Sequence, residues 1–306
     1  MGNTRDGILL VDKGEGETSF SVVRKIRGAL GIQKVGHAGT LDPFATGLLI
    51  VLVGQGTKLA PYIMTGKKTY RGTLRLGIET DTQDPTGQRI STRPVPDFSL
   101  EEIQENASVF TGEIEQVPPA FSAVRYQGRR AYALARKGIG MELQKRTVRI
   151  YALDILEAQL PEVTFQVVCS GGTYVRTLAA DLGRRMGPGA HLKALRRLGS
   201  APFLVQDAVK SVWIGSQVGA SDLEKKIIPL RGALPEMEEV STSGAMARRI
   251  RNGYRPRWKE LTGRPPDGFP GTPVKIVRGQ DLVAIGEALP PPDGDGMVLK
   301  IHRVFT

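Results

Sequence analysis

The stretch Gly36-His37-Ala38-Gly39-Thr40-Leu41-Asp42-Pro43-Phe44-Ala45-Thr46-Gly47-Leu48-Leu49 carries more information than any other part of this 306-residue chain. An isolated Asp-Pro is ordinarily a helix start, with Asp at the N-cap and Pro in the first turn. Here three glycines surround one His and one Asp, and the segment runs straight into the apolar sequence Leu48 to Val53. Glycine lets backbone come close to other groups, and a short apolar run of this length reads as a buried strand. The segment is therefore a glycine-rich loop entering a strand, a setting in which functional side chains are often presented.

Working outward, Ile8 to Val11 reads as a short buried strand. Ser19 to Leu30 reads as a helix with Val22, Val23, Ile26, Ala29 and Leu30 on one side and Gly31 as its stop. Thr57 to Met64 suggests a short helix closed by Gly66. A period of two follows, with Tyr70, Gly72, Leu74 and Leu76 facing one way and Thr69, Arg71, Thr73 and Arg75 the other. Asp84-Pro85-Thr86-Gly87 signals a turn. Ser99 and Glu102 form a capping box ahead of Ile103, Ala107 and Phe110, with Gly112 as the expected end of that helix. Strands are expected over Thr147 to Leu156 and Val163 to Cys169. Two helices should follow, one marked by Val175, Leu178, Leu182 and Met186, the next by Leu192, Leu195 and Leu198.

Strands and helices mix without a regular βαβ rhythm, which implies an α+β fold with a mixed, largely antiparallel sheet flanked by helices. Around Pro229 to Glu239 the chain changes character. A large domain over residues 1–235 and a small, mostly β module over 236–306 are expected. That module should hold a helix near Gly244 to Asn252, strands at Val274 to Val277, Leu282 to Ile285 and Met297 to Ile301, and Pro/Gly-rich loops at Arg264 to Pro273 and Leu289 to Gly296.

The formal net charge is +11, which suits a polyanionic partner. Between Val124 and Arg149 lie eight basic residues and one acidic, Glu142. The basic ones are Arg125, Arg129, Arg130, Arg136, Lys137, Lys145, Arg146 and Arg149. Such a cluster is either a solvated face or a surface that tracks phosphates by displacing counterions. No apolar run is long enough to cross a bilayer, no basic-then-apolar leader is seen, and Cys169 is the only cysteine. A cytoplasmic protein is expected, and a monomer for want of any coiled-coil pattern.

Phosphate-loop, dinucleotide-fingerprint and nucleophile-elbow motifs are all missing. His37, His191 and His302 are far apart in sequence, and nothing suggests a metal site. The chemistry left to such a chain rests on carboxylate, Tyr, His and Arg.

The glycine loop resembles the nucleophile motif of the TruB family, the tRNA pseudouridine-55 synthases. Lys68-Thr69-Tyr70-Arg71-Gly72 is similar to that family's aromatic-bearing strand. Arg75-Leu76-Gly77 through Thr80-Asp81-Thr82 to Asp84 and Gly87 is similar to its next motif. Gln116-Val117-Pro118-Pro119, Ser122-Ala123 and Gly128-Arg129-Arg130-Ala131-Tyr132 resemble its tRNA-gripping insertion, about residues 116–146. Cys169 to Thr177 with Asp181-Leu182-Gly183, then Gly189-Ala190-His191-Leu192 with Leu195-Arg196-Arg197, complete an ordered set over roughly residues 8 to 205. The carboxy-terminal module looks like a divergent PUA-type RNA-binding unit. One departure stands out: Asp12-Lys13-Gly14 replaces the family's usual Asp-Lys-Pro.

The resemblance implies the pseudouridine synthase fold and isomerisation of the T-loop uridine (uridine-55) of tRNA, with no cofactor and no metal. Breaking and remaking a glycosidic bond is redox-neutral, and a carboxylate can serve by nucleophilic attack or by deprotonating the sugar. Asp42 is the implied catalytic carboxylate. Arg176 is the implied cation beside it, expected to lower its pKa and keep it ionised. Tyr70 would stack on the flipped base and assist the proton step, while Tyr174 and Leu195 would line the uracil pocket. His37 would fill the gap left by the flipped base, and Lys13 would complete the substrate site. Arg125, Arg129, Arg130, Arg136, Lys137, Lys145 and Arg146 would hold the T-arm backbone. The rival readings are a synthase directed at another RNA, including a guide-dependent one, and a protein that chiefly binds or refolds tRNA.

Overall fold

The computed structural model describes residues 5–122, 124–261, 271–290 and 297–306. Strand β1 (Gly7–Lys13) is almost wholly buried. Thr18 caps helix α1 (Ser19–Leu30) by accepting a hydrogen bond from the Ser21 amide at 2.9 Å. Gly31 ends it at φ 66°, where a side chain would be strained. Val22, Val23, Ile26 and Leu30 form its buried stripe. Short β2 (Val35–His37) leads into the glycine loop, and β3 (Thr46–Val53) leaves it, pairing antiparallel to β1 with Gly7 opposite Val53 and Lys13 opposite Gly47. The Asp42-Pro43 pair starts no helix. In place of the single helix expected over 57–64, a 3-10 turn at Gly54–Leu59 precedes α2 (Ala60–Met64), because Pro61 can stand only in a helix's first turn.

In β4 (Lys68–Leu76), Tyr70, Gly72, Leu74 and Leu76 face inward as the alternation implies. Strands β5 (Ile78–Thr80) and β6 (Arg89–Thr92) pair across the Asp84–Gly87 turn. Helix α3 (Leu100–Ser108) carries the Ser99/Glu102 capping box. It stops at Ser108, and Gly112, at φ 101°, instead opens β7 (Gly112–Gln116). The basic insertion holds a two-residue-per-strand hairpin, β8 (Arg125–Tyr126) and β9 (Arg129–Arg130), and the single-turn helix α4 (Ala131–Ala135). Long β10 (Arg146–Gln159) and β11 (Glu162–Cys169) follow, then α5 (Val175–Met186).

The helix expected from Leu192, Leu195 and Leu198 is a strand, β12 (Ala190–Ser200). Its register against β4 shifts between Leu192 and Ala194. A bulge inserts one residue into the two-residue alternation, so Leu192 and Leu195 both turn inward at a spacing of three. That spacing imitates a helix.

Among the described residues, an eleven-stranded sheet includes the order β14-β1-β3-β12-β4-β11-β10-β7, where β14 is Val209–Lys210. Short β13 (Phe203–Leu204) and β15 (Ile228–Pro229) attach to β12 and β1, and α6 is Ala220–Lys225. Only the β1–β14 and β3–β12 pairings are parallel in this sheet, so the fold is α+β with a mixed, largely antiparallel sheet. One face packs on α1, α3 and α5 through Val23, Ile26, Ile103, Leu178 and Leu182. Each such fully buried aliphatic contributes about 1.5–3 kcal/mol. β16 (Glu239–Ser241), α7 (Gly244–Arg251), β17 (Pro273–Arg278), β18 (Asp281–Leu289) and β19 (Val298–Val304) make a second unit, whose four-stranded sheet has its own core. Val277, Leu282, Ile285 and Phe305 of this unit pack against Ile8, Leu48, Ile50 and Leu52 on the other face of the large sheet. The Pro/Gly-rich loops expected at 264–273 and 289–296 lie mostly outside the described residues, as does Ala123.

Candidate active site

Asp42 lies on the glycine loop between β2 and β3, in contact with Arg176 at the start of α5. Its carboxylate Oδ2 lies 3.0 Å from Nε of Arg176, whose side chain is only 6% exposed. The same guanidinium donates through Nη1 to Oδ2 of Asp84 at 2.8 Å and to the Thr82 carbonyl at 3.0 Å. Through Nη2 it donates to the Phe121 carbonyl at 3.0 Å, which ties the base of the insertion to the site. Asp84 is itself fixed: its Oδ1 accepts from the hydroxyls of Thr82 and Thr86 and from the Thr86 amide. A planar fork between two carboxylates needs a guanidinium, and the Thr82–Thr86 turn supplies the rigid second anchor.

The carboxylate keeps 36% of its exposure, yet the surrounding walls strip much of its water. Burial pushes the Asp42 carboxyl above its ordinary value; Arg176 opposes this, the like charge of Asp84 adds to it, and Lys13 opposes it. The expectation that a neighbouring cation sets Asp42 below the usual range is thus corrected, because desolvation outweighs the attraction.

Tyr70 is buried on β4, opposite Val167 of β11 and Arg197 of β12. Burial raises its phenol, against a hydrogen bond from Arg197. Leu195 is buried in the same cluster as Leu41, Phe44 and Tyr70. Beside Leu195 opens a cavity of about 260 Å³ whose walls include Phe44, Thr46, Gly72 and Arg71. Tyr174 immediately precedes α5, its amide donating to Gln116 Oε1 and its carbonyl accepting from Gln116 Nε2, both at 3.0 Å. The Arg146 guanidinium stacks 4.4 Å from the Tyr174 ring centroid. His37, at the end of β2, is held below its ordinary pKa by burial and by Arg197.

Lys13 is fully buried. Its three donors meet the carbonyls of Gly14 at 2.8 Å, Glu17 at 2.7 Å and Pro43 at 3.3 Å. It therefore braces the loop next to Asp42 and presents no free proton to a substrate. Of the residues expected to hold RNA backbone, Arg125, Arg129, Arg130, Arg136, Lys137 and Lys145 lie on the insertion, whereas Arg146 is half-buried against Tyr174.

Three participants carry no assigned role in the sequence reading. Arg197 is 2% exposed and donates to the carbonyls of Gly39 and Leu48, bracing both ends of the glycine loop. Gln116 clamps Tyr174, and Asp84 completes the Arg176 fork. All three lie within the quoted motifs, but their partners are distant in sequence. Among the described residues no group of three or more His, Cys, Asp or Glu side chains could hold a metal, and no helix is long and apolar enough to cross a membrane.

Solved structures place the fold. The chain superposes on the crystal structure of a Cbf5-Nop10-Gar1 complex with a TM-score of 0.74 at 24% identity, covering 99% of this chain and 86% of that one. A substrate-RNA-bound H/ACA RNP gives 0.71 at 24% identity, covering 98% and 85%. The chain shares the fold of these structures. The model of the TruB family pseudouridylate synthase N-terminal domain matches residues 27–175, and that of the tRNA pseudouridylate synthase B C-terminal domain matches 176–239. The chain is 44% identical to tRNA pseudouridine synthase B of Syntrophus aciditrophicus over 98% of both chains. It is 39% identical to that of Geobacter sulfurreducens over 98% of this chain and all of the relative. The chain belongs to the TruB family of pseudouridylate synthases.

Proposed function

We propose that this protein converts the T-loop uridine of tRNA (uridine-55) to pseudouridine, with Asp42 as the catalytic carboxylate. The observation that carries the reading is the Arg176 fork, which holds a partly exposed Asp42 while anchoring to buried Asp84. The relatives that match over nearly the whole chain are named as pseudouridine synthases of tRNA.

The uridine leaves its stack at a cost of a few kcal/mol and enters between Tyr70, Tyr174 and Leu195. His37, uncharged by virtue of its depressed pKa, fills the vacated space. Asp42 then acts on the sugar or the base, by attack or by deprotonating the sugar, while the uracil turns and rejoins through C5. Tyr70 assists proton loss at C5. Lys13 serves by fixing the carbonyl that follows Asp42. The cations from Arg125 to Lys145 grip the T-arm, and Arg146 stiffens the Tyr174 wall. Residues 1–235 form the catalytic unit and 236–306 an RNA-binding module. The enzyme works in the cytoplasm as a monomer without nucleotide, metal or other cofactor.

The test is tritium release from [5-³H]uridine-labelled tRNA transcript without divalent metal or nucleotide, comparing wild type with Asp42→Asn. Release by wild type alone supports the reading. Tight tRNA binding by folded wild type with no release would move it to a tRNA-binding or refolding protein.

A further inference from the structure

The segment that braces Asp42 is itself tied to a distant part of the chain, through a backbone N–H that a proline at position 14 would lack. The Gly14 amide donates to Oγ of Ser211 at 3.0 Å and to Oε2 of Glu17 at 3.2 Å. The Ser211 hydroxyl in turn donates to Oε2 of Glu17. The other oxygen of Glu17 receives Lys25 Nζ. Ser211 is fully buried, so water does not compete for its bonds. It follows β14, whose Lys210 pairs in parallel with Asp12 of β1, so strand pairing sets its hydroxyl over the Lys13-Gly14 junction.

From this knot the contacts run to both neighbours of Asp42. The Glu17 carbonyl accepts from Lys13, which also donates to the Pro43 carbonyl, and the Gly16 amide donates to that same carbonyl at 2.8 Å. On the other side, Ser19 Oγ donates to the Leu41 carbonyl and accepts from the Leu41 amide. Asp42 thus hangs between two residues whose backbones are pinned by the segment 13–19.

Accepting the assignment of Asp42 as the catalytic carboxylate, we propose that Ser211, with Glu17, is a positioning residue for it, acting through the Gly14 amide. The latch replaces, by hydrogen bonding, the rigidity that proline would give the Lys13 turn. It touches no substrate, and its effect is on how often the Asp42 carboxylate stands in its reactive place.

The experiment is a double-mutant cycle of Ser211→Ala and Gly14→Pro, read by single-turnover tritium release, tRNA dissociation constant and Tm. Ser211→Ala should lower the turnover rate roughly 10- to 100-fold, the scale of a small misplacement, while tRNA affinity stays within about twofold. Added to Gly14→Pro, the same change should cost much less, because the donor is already gone. Should Gly14→Pro fail to fold, Glu17→Ala replaces it in the cycle. Turnover of Ser211→Ala equal to wild type, losses that multiply in the double variant, or a fall in affinity matching the fall in rate would each overturn the latch. An Asp42→Asn control separates the two layers: activity there would sink the Asp42 assignment, whereas an inactive control beside an unaffected Ser211→Ala sinks only the latch.

Discussion

Arg176 joins Asp42 to Asp84, its Nε 3.0 Å from one carboxylate and its Nη1 2.8 Å from the other. Because the two contacts use different edges of one planar group, the position of Asp42 is inherited from a turn more than forty residues away. Lysine offers a single point charge and cannot span both anchors. Arg176→Lys should therefore lower turnover by about 100-fold, the scale associated with lost alignment, with tRNA binding largely kept. Rates near wild type would show that charge alone suffices.

The same geometry sets a pH dependence. The Asp84 charge raises the pKa of Asp42, working with burial and against Arg176. Removing that charge in Asp84→Asn should move the acid limb of kcat/KM to lower pH. A limb that stays in place, or moves upward, would mean that Asp42 is not the group titrating.

A stability consequence follows with its own sign. Burial leaves the folded-state pKa of Asp42 above its unfolded value, so the folded protein binds that proton more tightly. Stability is then lost as pH rises from the ordinary aspartate value through the raised one. Asp42→Asn should match or exceed wild type in Tm at neutral pH, with any advantage shrinking as pH falls. Thermal melts at several pH values read this directly; a variant less stable at neutral pH would contradict it.

Substituting Tyr70 tests the stacking and proton-transfer roles proposed for it separately. Tyr70→Phe keeps an aromatic face for the base but loses the phenol beside Arg197. Turnover should fall by roughly 10²- to 10⁴-fold, the range of a general acid–base contribution, while the tRNA dissociation constant changes little. Equal losses in both measurements would reduce Tyr70 to a packing residue.

The insertion should contribute affinity without chemistry. Replacing Arg125, Arg129, Arg136 and Lys137 with Gln should weaken tRNA binding. It should also flatten the logarithmic salt dependence by about 0.7–0.9 for each phosphate no longer neutralised. The rate at saturating tRNA should hold. An unchanged salt slope would place the grip elsewhere.

Much of this is legible in the sequence because it is local. Helix α1 matches its reading at both ends, since Gly31 and the stripe from Val22 to Leu30 act within one element. The face of Tyr70 follows from simple alternation. β12 reads wrongly as a helix because its bulge converts a period of two into a spacing of three, and only pairing with β4 reveals it. Asp42 and Arg176 can be nominated from their motifs, but the direction of the Asp42 shift cannot. It depends on walls assembled from several strands. Ser211, some two hundred residues from the turn it secures, leaves no local trace at all.

Gly47 has one more consequence. At φ 100° it lies where the glycine loop enters β3, and a side-chain carbon there would fall 2.3 Å from the Arg197 carbonyl. The early strand therefore reserves its empty space for one synthesised about 150 residues later, and β4 likewise waits for β11 and β12 on its two sides. A chain emerging from the ribosome folds by units as they are completed. Strand β12 can take its place beside β3 and β4 only after residue 200 has cleared the exit tunnel, so a product truncated just ahead of it carries Asp42, Tyr70 and Arg176 without the strand that pairs with both β3 and β4.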